Sequence, residues 1–229
     1  SVVIAASSRV ISDSSVSISG PTIDARGTIG AGDSVSLTGD FIVHGGLLQS
    51  GRRIAVNATQ NISLASDSQI ETIGNAASIG FARDAGASAN IDIRAGGIVS
   101  ATGTIYSDGA IAIKSDTREI INSGTITGLN DVVLQASVID TNGGRVTANN
   151  LALYQAADFI NSGSLTATGN LLLSANSITN SGLLGAAGSL ILQSVGNVEN
   201  LGGTLFAGGE IAIETPGRIN NELGTALAL

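Results

Sequence analysis

Reactive side chains are sparse in this sequence and stand well apart from one another. The 229 residues include one histidine, one lysine, and no cysteine, methionine or tryptophan. His44 lies in Val43-His44-Gly45-Gly46, with no second histidine to share a metal ion and no thiol to activate. General-base catalysis needs a nucleophile and an orienting group within hydrogen-bond reach. The sequence nominates neither, so His44 reads as a turn or surface histidine. The serine-rich opening, Ser7-Ser8 and Ser12 to Ser15, lacks a basic partner and reads as loop and strand edge. Asp13, Asp24, Asp33 and Asp40 come closest to a carboxylate cluster. Convergent carboxylates would serve glycoside cleavage or hold a cation, but these fall in successive loops and read as a solvated acidic face. No residue is assigned a catalytic, cofactor-binding or metal-ligating role, and no cofactor is expected.

Composition narrows the partners. The formal net charge is −8, and the ten basic residues are scattered, with Arg52-Arg53 the one adjacent pair. Nucleic acids, polyanions and anionic membranes reward clustered Lys and Arg, so no nucleic-acid partner is expected. Hydrophobic residues make up 43% and charged residues 12%, which is not a disordered composition. With two Tyr and four Phe among 31 Gly, a core of large aromatics is out of reach. Burial must come from many thin layers of Val, Ile and Leu, each side chain contributing about 1.5–3 kcal/mol when fully buried. The chain has no initiating Met, signal peptide or long apolar run, and reads as an internal fragment whose ends are cut within the repeat, leaving open edges.

The elements that supply those layers repeat. An apolar-x-apolar triplet occurs at Ile111-Ala112-Ile113, Val132-Val133-Leu134, Leu151-Ala152-Leu153, Leu171-Leu172-Leu173, Leu190-Ile191-Leu192 and Ile211-Ala212-Ile213, in steps of about 20 residues. Upstream copies are Val16-Ser17-Ile18, Val35-Ser36-Leu37, Ile54-Ala55-Val56 and Ile91-Asp92-Ile93. The interval from Ile54 to Ile91 breaks the rhythm and is close to two periods. In phase with the triplet runs a Gly about eight residues ahead of it, as at Gly103, Gly124 and Gly163, and often an Asn two residues before that Gly. These are Asn122, Asn161 and Asn180, continued more loosely by Asn200 and Asn221.

Each unit reads as short strands separated by turns: period-two alternation and β-branched residues in the strands, Gly, Asn, Ser and Asp between them. A 20-residue unit of this kind cannot bury its own apolar face and must stack on its copies. The expected fold is all-β, a right-handed parallel β-helix of roughly eleven coils forming one domain over residues 1–229, with an irregular or expanded coil near 57–90. At about 4.8 Å per coil the rod would be on the order of 50 Å long. Outer triplet residues such as Val35 and Leu37 should face the core, and the middle one, Ser36, solvent. The five asparagines should occupy one turn and form at least a partial ladder of stacked amides.

The units Ile160-Asn161-Ser162-Gly163-Ser164-Leu165-Thr166-Ala167-Thr168-Gly169-Asn170-Leu171-Leu172-Leu173 and Thr179-Asn180-Ser181-Gly182-Leu183-Leu184-Gly185-Ala186-Ala187-Gly188-Ser189-Leu190-Ile191-Leu192 resemble the repeats of the filamentous haemagglutinin family. That family comprises the secreted partners of two-partner secretion systems, contact-dependent inhibition proteins included. The resemblance covers most of residues 97–229 and, more weakly, 16–56. It implies a β-helical fibre exported through an outer-membrane secretion pore and displayed on the surface of a Gram-negative cell. Neither the Asn-Pro-Asn-Gly type of motif of that family's secretion domain nor a toxin or nuclease signature is present. The segment therefore reads as non-enzymatic stalk or adhesive middle, serving adhesion or presenting a distal effector. Its partner would be a host-cell or bacterial surface receptor. Alternatives are a receptor-binding segment of a contact-dependent toxin stalk and a carbohydrate-active β-helix enzyme. Two features are candidate partner contacts: the irregular stretch from Gly74 to Asn90 with Phe81 and Arg83, and the outward triplet positions that become apolar at Val133, Leu172 and Ile191.

Overall fold

The computed structural model describes residues 1–72, 90–155 and 157–229, with Gln155 described by its backbone alone. Among these residues there are 32 short strands and no helix, arranged as three parallel sheets of 11, 11 and 10 strands. Every third strand belongs to the same sheet, so the chain visits sheets A, B and C in turn and closes one coil per visit. Ten coils are complete, and an eleventh holds strands Ile219–Asn220 and Thr225–Ala228. The architecture is a β-solenoid with coils of roughly 20 residues.

Alternation within each strand selects the core. In Ser34–Gly39 of sheet C, Val35 and Leu37 are buried while Ser36 stays half-exposed. Stacking in register then turns each inward position into a column. Ile23, Ile42, Ile62 and Val99 stack in sheet A, Ile29, Leu48, Ile70 and Ile105 in sheet B, and Leu151, Leu171, Leu190 and Ile211 in sheet C. Branched aliphatic side chains suit this interior because identical neighbours repeat at the inter-strand distance on a pleated surface.

One corner explains the in-phase glycines. Just before each sheet B strand the coils approach so closely that a Cβ on Gly124 or Gly163 would lie inside contact distance of the carbonyl oxygen of Gly103 or Gly144 in the coil below. That carbonyl accepts from the next coil's backbone, as Thr125 N–H to Gly103 and Ser164 N–H to Gly144.

The broken rhythm falls within one coil. Strand Arg53–Ala58 pairs directly with Asn90–Ala95, with Ile54 opposite Ile91. The interval from Ile54 to Ile91 is therefore a single coil, not two. Residues 57–72 follow the regular pattern: Asn57 and Ala58 finish a strand, and Ile62–Leu64 and Gln69–Thr72 take their places in sheets A and B. The extra length falls at 73–89, between the sheet B and sheet C strands of the fourth coil.

Candidate interaction surface and the buried polar column

The second inward position of sheet A carries polar side chains into the core. Reading up the register, this column passes Ala25, His44, Leu64, Ala101 and Asn122, then Thr141, Asn161, Asn180, Asn200 and Asn221. The asparagines sit at the ends of sheet A strands pointing inward, rather than in a turn. All but the terminal, exposed Asn221 are buried. Asn161 Nδ2 donates to Asn180 Oδ1 at 2.7 Å, Asn180 Nδ2 to Asn200 Oδ1 at 2.7 Å, and Asn200 Nδ2 to Asn221 Oδ1 at 2.6 Å. The same amides also donate across the corner to carbonyls of the next sheet B strands, Leu183 from Asn161 and Thr204 from Asn180. Asn161, Asn180 and Asn200 are thereby satisfied along and across the rod.

Asn122 stands outside this chain of bonds. Thr141 separates it from Asn161 and donates its own hydroxyl to Asn161 Oδ1 at 2.9 Å. Ala101, in the coil below, offers Asn122 no donor, and Asn122 Oδ1 is left buried without a hydrogen-bond partner. Sequence reading missed Thr141 because threonine stands where the later coils carry asparagine; its corner is also one residue longer, as at Asn200. Asn142 and Gly143 adopt left-handed φ of 38° and 76°, moving Gly144 three residues away from Thr141 instead of two.

His44 occupies the same column, so it is neither in a turn nor at the surface. It is fully buried, with Nδ1 2.7 Å from the Ser68 hydroxyl and Nε2 without a hydrogen-bond partner. Burial lowers its pKa to about 4, the nearby charge of Asp67 opposing this and that of Arg26 adding to it. Ser68 takes the corner position held by glycine in the next coils, Gly103 and Gly124. A hydroxyl at that break in the glycine series was the one available sign that something in the core needed a partner.

The aspartates that looked clustered are not convergent. Asp24 pairs with Arg26 at 2.6 Å on the outside of sheet A, Asp33 with Arg52 at 3.5 Å at the entry to sheet C, and Asp40 accepts from Thr59 at 2.7 Å. No group of three or more acidic or histidine side chains able to hold a metal ion occurs among the described residues.

Sheet C presents the candidate surface. Its triplet middle positions align as Ala112, Val133, Ala152, Leu172, Ile191 and Ala212, an unbroken outward apolar column over six coils. Val133, Leu172 and Ile191 are half-buried rather than fully exposed, because flanking columns crowd them at the stacking distance. Only Leu172 and Ile191 are on adjacent coils; Ala152 separates Val133 from Leu172 and leaves a shallow cleft of about 270 Å³ between them, rimmed by Asp131, Asn150 and Asn170. Alongside runs a polar column, Lys114, Gln135, Tyr154, Ser174, Gln193 and Glu214. Nearer the amino-terminal end Arg53 bonds Asp92 at 2.8 Å and Arg94 bonds Asp116 at 3.0 Å, holding the Asp116 carboxyl below its ordinary range. Phe81 and Arg83 lie outside the described residues.

No family model matches the chain, and no curated protein and no solved structure matches it either.

Proposed function

We propose that the chain is a structural and adhesive segment of a surface fibre, secreted through an outer-membrane pore of a Gram-negative cell. It would reach outward to meet a host-cell or bacterial receptor or to carry a distal effector. The observation that carries this reading is the continuity of the rod: among the described residues each sheet pairs coil to coil from one end to the other. Tension along the axis is then shared by three parallel ladders and the amide column. Asp24, Asp33, Asp92 and Asp116 are each paired with an arginine, and the densest polar array faces the core. Both features suit a body whose work is mechanical.

Binding of the labelled fragment to candidate bacteria and host cells, beside a fragment with residues 73–89 scrambled, tests the reading. Saturable attachment supports the adhesive role, and absence of attachment leaves the spacer role. Depolymerisation of a polysaccharide by the purified chain would overturn both.

A further inference from the structure

The outer face of sheet C is complementary to itself, and we propose that two copies of this chain pair through it with their rods antiparallel. A two-fold axis lying between the faces and along the strand direction sets each outward column against its own counterpart and reverses the order of the coils. Placing that axis between the coils of Ala152 and Leu172 matches large side chains to small ones. Ala152, with the cleft beside it, receives Leu172 of the partner subunit. Val133 meets Ile191 of the partner subunit, and Ala112 meets Ala212 of the partner subunit. In the neighbouring column Tyr154 faces Ser174 of the partner subunit and Gln135 faces Gln193 of the partner subunit. Lys114, whose Nζ lies 3.4 Å from Asp116 of its own chain, then faces Glu214 of the partner subunit, which within its own chain accepts from Gln193, and symmetry makes that pair twice. All six register matches follow from one choice of axis.

The corresponding outward column of sheet B is polar through Thr127, Thr147 and Thr166, with Thr147 and Thr166 bonded to each other at 3.2 Å, and turns apolar over only its last coils, from Gly185 to Phe206 and Leu227. That of sheet A alternates charge and hydrocarbon from Ile121 to Asp140, Ile160, Thr179 and Glu199.

Six coils at about 4.8 Å and strands about 16 Å wide give roughly 1,000 Å² of total buried surface, at the lower limit for a specific interface. Packed sheets about 10 Å apart keep the interface thin and dry at its apolar centre. The dimer should therefore be weak and concentration-dependent, with a Kd near or above about 1 µM.

Sedimentation equilibrium of the intact chain from about 1 µM to about 1 mM tests this, with circular dichroism confirming that each variant is folded. A reversible dimer is expected, lost in Leu172→Arg. Lys114→Glu and Glu214→Lys should each weaken it by roughly tenfold, and the two together should restore it, because the exchange keeps opposite charges facing. A chain that stays monomeric throughout overturns the proposal. So does a dimer indifferent to Leu172→Arg, which would place association at the open ends. Failure of the double charge exchange to recover affinity overturns the antiparallel register.

Discussion

His44 and the asparagines show what single residues contribute inside this rod. The imidazole's ordinary pKa of 6.5 falls to about 4 on folding, so the unfolded chain takes up a proton that the fold refuses. Its contribution is complete above pH 6.5 and is lost as the pH falls towards 4, a loss on the order of 3 kcal/mol over that window. Urea unfolding at pH 7 and pH 4.5 should show this drop, and His44→Leu should flatten it. The paired Asp116 titrates below its ordinary range, so its solvent-screened contribution is lost only at pH values below that window. In the amide column, Asn180→Ala would leave Asn161 Nδ2 and Asn200 Oδ1 without their partners along the column, at a cost of about 2–3 kcal/mol. Asn122→Ala removes a side chain whose carbonyl is already unpartnered and should cost less; thermal melts of the two variants rank them. The asparagines were legible in the sequence because polar residues recurring with the apolar period must stack. Their inward direction was not, since turn chemistry accounts equally well for Asn two residues before Gly. His44 was misread because a solitary histidine announces burial only through its neighbours, and Ser68 is 24 residues away.

At the scale of the strand and its corner, glycines that look alike in sequence do different work. Gly163→Ala would press a methyl group into the Gly144 carbonyl of the coil below and should destabilise by about 1–3 kcal/mol. Gly185, on the outside of sheet B, has only ordinary contacts from 3.6 Å outward for an added Cβ. Gly185→Ala should be neutral or stabilising by up to about 1 kcal/mol, since glycine weakens a strand interior. Chemical denaturation of the pair checks both. The triplets made coil-on-coil stacking readable because their alternation specifies which face is buried, and a one-residue slip would turn every Val, Ile and Leu outward. Other details were less readable. Thr141 escaped the pattern because it is not an asparagine, and spacing alone did not show that Arg53–Ala58 pairs directly with Asn90–Ala95, because it counts residues without showing which strands pair.

For the molecule as a whole, each coil touches only its neighbours, so stability is close to a sum of local terms and disruption should stay local. Leu192→Ala in the ninth coil, a fully buried position, should cost about 2–5 kcal/mol. Hydrogen exchange should rise in the coils around and beyond it while strands before Val99–Ala101 keep their protection. Uniform loss of protection across all the coils would contradict this picture. A single sheet face shared by six coils is likewise a property of the assembled rod, and the outward drift from Ser17 and Ser36 to Leu172 and Ile191 was its sequence trace. The pairing of Lys114 with Glu214, by contrast, has no signature in a sequence where they are 100 residues apart.

The amide column also has a direction. From Asn161 to Asn200 each side chain donates to the coil that follows it and accepts from the coil before. A stack growing from its amino-terminal end thus always holds out an unused N–H to the incoming coil, while growth in the opposite sense offers only a carbonyl oxygen. The two ends of the column are therefore chemically unlike, a free donor at one and a free acceptor at the other, so a coil added at either end meets a different group.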